Sequence, residues 1–422
     1  MKLLLGFLAL SLLQAGDADS KWPPEFGKLR FTFEFRTRFE ARTGVNFGLS
    51  PDLENPLFRT RIGAEYKPFE WLKLSGMGQD ARAPLYGGPA PSTARDTMDL
   101  QEGYLEFFPD AKTGFGAVVG RKMVTYGEGR LIGVPQWSNT SRTYDGAQLY
   151  YRLPHARFDV LMVSIVKVLP DEFNRPELGD RLWGTYDSFS GLIPKGVAEF
   201  YVLRREQNRP GGFTGVGTLG ITTFGGRATG PLPDGFQYSL ETAGQTGHVG
   251  LQSQRGYAWF SNVSRRVELG RPVDLSIEYK YASGSDDPKG PRTTTFDQLY
   301  AANHDKFGHE DLFGWRNIHN LRSLDTIQLY KGLALNCMYD NFWLASAHDS
   351  LYSGQGKAIV TDLKGLSGRH VGQELDGFAT YSRSGFVFGA GFGHLFAGEF
   401  LRKTTPGVNT RYLYLFQSYS FR

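Results

Sequence analysis

Apolar and polar residues alternate with a period of two along almost the whole chain. Leu29–Glu40 (LRFTFEFRTRFE) sets Phe31, Phe33, Phe35 and Phe39 on one face and Thr32, Glu34, Arg36, Arg38 and Glu40 on the other. Phe58–Lys67 repeats this, with Phe58, Ile62, Ala64 and Tyr66 opposed to Arg59, Arg61, Glu65 and Lys67. In Val273–Ala282 (VDLSIEYKYA) apolar residues again alternate with Asp274, Ser276, Glu278 and Lys280. Such alternation is the mark of strands with two different faces. It predicts eighteen strands between Leu29 and Phe421. Every second connection is short, as at 68–70, 154–157 and 331–333. The others are long: 41–56, 83–98, 123–142, 169–180, 207–214, 248–253, 283–323, 345–371 and 397–410. The longest carries Phe296, Tyr300, Phe307, Phe313 and Trp315, which a plain linker does not need.

A soluble sandwich has no reason to sort its connections in this way. An all-β, transmembrane antiparallel barrel of about eighteen strands with up-and-down topology does, because short turns gather on the periplasmic side and long loops outside. Composition agrees. A mean hydropathy of -0.34 with 14% aromatic residues is too polar for a helical membrane protein and suits one lipid face and one wet face. Met1–Ser20 reads as a signal peptide, with Lys2, an apolar run over Leu3–Leu13, and small residues at Ala15, Gly16 and Ala18. The barrel is then expected over 21–422. The last strand places Leu413, Leu415, Tyr419 and Phe421 at alternate positions, which resembles the assembly signal of outer-membrane barrels.

Motifs for catalysis are scarce. The single cysteine, Cys337, excludes an intramolecular disulfide. There is no HExxH and no GxSxG. GVGTLG at Gly215–Gly220 matches a dinucleotide fingerprint only formally, since no helical pattern follows. Asp286 and Asp287 lack EF-hand spacing, and His304, His309 and His319 are too loosely spaced for a metal site. A lipase-type barrel would need a Ser–His pair, for which candidates such as Ser346 and His348 lie close together, but adjacent pairs of this kind are common by chance. The expectation is a protein that is not an enzyme, has no cofactor and has no nucleic-acid partner, although a net charge of +4 by itself says little about partners.

Charge on the inward faces is more telling. Arg36 and Arg38 on one strand and Arg59 and Arg61 on the next each stand two residues apart, so each pair points one way. Facing lipid near the midplane, each would cost about 2–4 kcal/mol. They are expected to face a wet lumen, braced by Glu34, Glu40 and Glu65 or by an anionic solute. A second constellation spans Glu102 to Asp145 and holds Arg121, Arg130 and Arg142. Its segment Tyr126–Arg142 is expected to fold into the barrel, and Ser283–Asn320 to pack over the outer mouth.

GRKMVTYGEGRLIG, WSNTSRTYDG, YASG, TFDQLYAANHDKFGHEDLFGWRNI and VGQELD occur in that order. Their arrangement resembles the alginate export family of outer-membrane porins. The resemblance implies a monomeric eighteen-stranded barrel in the bacterial outer membrane, surrounded by lipid, with an electropositive constriction that passes an anionic polyuronate. It places Arg36, Arg38, Arg121, Arg130, Arg142, Asp145, Glu374 and Asp376 along the solute pathway. Arg59, Arg61 and Glu102 join them from the face pattern. The alternative reading is a general or sugar-uptake porin not dedicated to polymer export.

Overall fold

A computed structural model describes residues 25–26, 28–86, 89–208, 218–304 and 306–421. The expected signal peptide and the first half of GVGTLG lie outside the described residues. Eighteen long strands follow one another around a single sheet. They are β1 (Leu29–Thr43), β2 (Leu53–Phe69), β3 (Leu72–Arg82), β4 (Asp96–Phe107), β5 (Gly114–Lys122), β6 (Tyr144–Leu153), β7 (Ala156–Lys167), β8 (Arg175–Phe189) and β9 (Val197–Gln207). The second half comprises β10 (Leu219–Pro231), β11 (Phe236–Val249), β12 (Tyr257–Glu268), β13 (Pro272–Ala282), β14 (Ile318–Tyr330), β15 (Leu333–Leu344), β16 (His370–Arg383), β17 (Phe386–Ala397) and β18 (Thr410–Phe421). Each pairs antiparallel with its sequence neighbours, and β1 pairs with β18 from Phe33↔Phe421 to Thr43↔Arg411. The sheet is therefore a closed barrel and has no free edge to aggregate.

The two faces behave as alternation demands. Ile62, Phe115, Met162 and Ile277 point outward and are 62%, 75%, 66% and 65% exposed, an apolar surface that only lipid covers. No helix among the described residues is long and apolar enough to cross a membrane; the crossing is made by strands. Inward positions are polar and buried: Arg36, Arg59, Arg205, Lys280, Arg322, Asp340 and Glu374. Two register shifts interrupt the ladder between β3 and β4, at Met77/Gly78 and Gln79/Ala81. An extra residue at such a bulge lets the strand re-aim its side chains.

The strand expected to resume at Ser323 begins earlier, at Ile318. His319 and Asn320 therefore belong to β14 and not to the preceding loop. That stretch reads as polar because its inward face carries Asn320 and Arg322, both bonded to Asp340.

Two outer loops occupy the lumen. They are L3 (123–143) and L7 (283–317). Phe296, Tyr300, Phe313 and Trp315 of L7 have no exposed surface, and they pack with Leu131 and Ile132 of L3 in one apolar cluster. Polar backbone at membrane depth survives only inside protein or a wet cavity, so the loops must bond to each other and to the wall. They do. Gly133 N donates to Tyr300 O (3.1 Å), Tyr300 N to Leu131 O (2.8 Å) and Ala302 N to Gly129 O (2.9 Å).

L7 is anchored at one wall by a buried ion cluster. Arg205 of β9 lies 3.0 Å from Asp180 of β8 and 3.3 Å from Asp297 of L7. The Tyr300 hydroxyl donates to the same Asp180. Removing one partner of a buried charge set costs about 3–5 kcal/mol. Arg205→Met is therefore expected to lower the urea midpoint of the refolded barrel in lipid vesicles, followed by tryptophan fluorescence. An unchanged midpoint would show that Asp180 and Asp297 need no counter-charge.

Candidate functional site: an arginine wall under an in-folded loop

β1 and β2 are adjacent, with Arg36 opposite Arg59 and Glu34 opposite Arg61. All four inward arginines are buried. Like charges so placed need acceptors, and L3 supplies most of them. Arg36 donates to the carbonyls of Gln136 (2.9 Å), Trp137 (3.1 Å) and Ser138 (2.9 Å). Arg38 donates to Trp137 O at 2.5 Å, and its guanidinium lies 4.1 Å from the centre of the Trp137 ring. Arg59 reaches Gln136 O (3.1 Å) and Ser138 O (2.9 Å). Arg61 bonds the Gln136 side chain, Ser141 Oγ and Gln79. Two carboxylates answer them. Glu34 lies 2.5 Å from Arg59 and 3.5 Å from Arg61. Glu40 lies 2.7 Å from Arg38, and it also accepts the Tyr412 hydroxyl at 2.8 Å. Guanidinium suits this work because its planar fork satisfies several oxygens at once.

The other residues singled out in the sequence fall into separate groups. Arg142 bonds the carbonyls of Gly133 (3.1 Å) and Ala301 (3.1 Å) and that of Tyr300, so it ties L3 to L7. Arg130 crosses the lumen to Glu241 of β11 (3.3 Å), bonds Glu128 (2.6 Å), and lies 3.2 Å from the centre of the Phe260 ring. Glu128 also pairs with Arg227 of β10 at 2.7 Å. Burial acts to raise the Glu128 carboxyl, but Arg130 and Arg227 hold it down at about 2, so it stays charged in the passage. Glu102 accepts the Met123 N–H (2.9 Å) where L3 leaves β5. Glu374 and Asp376 of β16 accept the N–H groups of Glu310 (2.9 Å) and His309 (3.2 Å), and so hold the far end of L7. Gly308 permits that approach. Its φ is +82°, and a Cβ there would stand 2.2 Å from Glu374 Oε2.

Arg121 and Asp145 lie elsewhere. They form a two-point pair at 2.7 and 2.9 Å. Tyr144 faces inward against Tyr300, so by alternation Asp145 faces outward, with the exposed Leu149. The pair sits at the outer rim, where Asn174 of loop 168–174 covers it by accepting from Arg121 at 3.0 Å. The expectation that Arg121 points into the lumen misjudged which face of β5 is inward.

Further residues complete the site. Trp137 stacks on His304 of L7 (4.6 Å between ring centres, 1° between planes) and meets Tyr414 and Phe416 of β18 edge-on. His309 bonds the Tyr414 hydroxyl at 2.6 Å. Asp180, Arg205, Asp297 and Glu310 were not marked by the sequence. Arg205 follows Arg204, and only knowledge of the inward phase of β9 separates them. Ser346 and His348 do not form a catalytic pair. Ser346 Oγ donates to Ser285 O (3.1 Å), while the His348 ring meets Leu363 O (3.2 Å). Asp286 and Asp287 are exposed, and no metal-ligating cluster occurs among the described residues.

A closed eighteen-stranded barrel with an apolar outer band, a charged inner face and in-folded outer loops defines an outer-membrane channel of porin type, located in the bacterial outer membrane. The chain belongs to the alginate export family, whose model matches residues 28–414. No curated protein matches it in sequence. In fold it is similar to Pseudomonas aeruginosa OpdQ (TM-score 0.63, 13% identity, covering 94% of this chain and 99% of that one). It is also similar to P. aeruginosa OpdL (0.63, 11%, 93% and 98%). A third is P. aeruginosa OccK2 (OpdF), solved in complex with glucuronate (0.61, 13%, 93% and 96%).

Proposed function

We propose that this channel passes anionic, uronate-type carbohydrate along the arginine wall of β1 and β2. The observation that carries this reading is the charge imbalance there. Among the described residues Arg36, Arg38, Arg59 and Arg61 lie against two carboxylates, Glu34 and Glu40, and the L3 carbonyls that accept their hydrogen bonds neutralise nothing. A fixed positive excess in a narrow, low-dielectric passage concentrates anions and repels cations. Membership of the alginate export family makes a polyuronate the natural candidate. The loops favour a second reading. L3 and L7 meet across the lumen through backbone hydrogen bonds, which suits single uronate sugars better than a polymer, and the glucuronate held by a protein of similar fold points the same way.

Planar-bilayer recording tests both. The wild-type channel is expected to be anion-selective, and Arg59→Glu with Arg61→Glu should move the reversal potential in a KCl gradient toward cation preference. An unmoved reversal potential would make these residues wall braces only. Block by oligomeric alginate supports polymer passage, whereas block by glucuronate alone supports the single-sugar reading.

A further inference from the structure

On the outside of the barrel, at the outer ends of β16 and β17, there is a cleft of about 550 Å³. It is lined by His370, Gln373, Phe396, Glu399, Arg402 and Lys403. The last three belong to the short helix α1 (Glu399–Thr404) that follows β17. We propose that this cleft holds the phosphorylated headgroup of an anionic lipid of the outer leaflet.

Three observations converge. The first is position. Phe392, His394 and Phe396 share the outward face of β17, and the exposed Leu375 and Leu413 lie on the strands either side. The cleft thus stands directly above the apolar band, at the level where headgroups begin. The second is uncompensated charge. Lys403 pairs with Glu399 at 2.5 Å, but among the described residues no side chain forms an ion pair or hydrogen bond with Arg402. The cleft is thus left with one positive charge that no carboxylate in its lining answers. The third is the aromatic rim. Trp343 lies 5.8 Å from the His370 ring, which is itself fixed to Asn341 at 3.0 Å, and such side chains seat an interface with one end apolar and the other wet. Glu399 is the one carboxylate in the cleft, and Lys403 answers it. Guanidinium grips phosphate bidentately, and a cation at a membrane surface adds to anionic-lipid attraction.

The test is lipid retention by the full barrel in dodecyl maltoside micelles, measured by native mass spectrometry. Phosphatidylglycerol should be retained and phosphatidylcholine not. Arg402→Glu should weaken that retention about 30-fold, from roughly a fivefold loss for each of two units of charge. Arg402→Gln, at an exposed position with no internal partner, gives about fivefold and serves if the charge-reversed variant fails to fold. Equal retention of the two lipids, or full retention by the variants, overturns the proposal. So does displacement of phosphatidylglycerol by an equal concentration of inorganic phosphate, which would make the cleft a site for a free ion.

Discussion

Replacing Arg36 and Arg38 together by Ala is expected to release L3 from the wall and raise single-channel conductance several-fold. The two side chains make four hydrogen bonds to the carbonyls of Gln136, Trp137 and Ser138. Hydrogen bonds to a charged group contribute about 1.5–3 kcal/mol each, so the loss is at least about 6 kcal/mol. About 5.5 kcal/mol suffices to turn a 99:1 equilibrium into 1:99. Arg38 also lies against the Trp137 ring, and that contact goes too. The barrel should persist, because the ladders of β1 with β2 and β18 are main-chain bonds. Planar-bilayer conductance and protease cleavage within 126–142 are the measurements. Wild-type conductance with L3 still protected would show that Arg59, Arg61 and L7 hold the loop unaided.

Deleting Asp286–Leu312 should have a larger effect. That segment contains Phe296, Tyr300 and Phe307, all buried, along with the Asp297 partner of Arg205 and the His304 that stacks on Trp137. Its removal strips L3 of its three backbone bonds to L7 and empties a lumen that eighteen strands would otherwise leave wide. Conductance is expected to rise beyond that of the double arginine variant, with heat-modifiable migration on gels retained as the sign of a closed barrel. Loss of that migration would mean that L7 is needed for folding, and unchanged conductance would place the constriction away from both loops.

The barrel was legible because lipid on one side and water on the other impose a strict alternation, and that alternation survives any change in the identity of the residues. The phase of each strand was less legible. On β1 the run of phenylalanines leaves no doubt about which face meets lipid. On β5 and β6 the outer ends are polar on both faces, so Arg121 and Asp145 carried no sign of pointing outward. The start of β14 was hidden in the same way by Asn320 and Arg322. L3 was recognisable as inward from its Gly, Trp and Arg content, whereas the aromatics of L7 suggested a lid over the outer mouth and not a loop inside the lumen, and the partners of neither were legible. Contacts such as Arg205 with Asp297 or Glu374 with Glu310 join segments far apart in sequence, and no local pattern announces them.

The seam between β1 and β18 joins the two extremes of the barrel. Phe33 stacks on Phe421, with ring centres 5.7 Å apart, although the two residues lie at opposite ends of the folded chain. Among the described residues this is the most non-local strand pairing, and non-local pairing is slow to form. Until the last strand arrives, the growing sheet has two open edges, each a template for the wrong partner. Closure is thus a late, single event on which the whole molecule waits. A chain shortened by a few residues at its end would lose the latch while keeping nearly every other strand ladder, and its fate would be decided during assembly and not by the stability of the finished barrel.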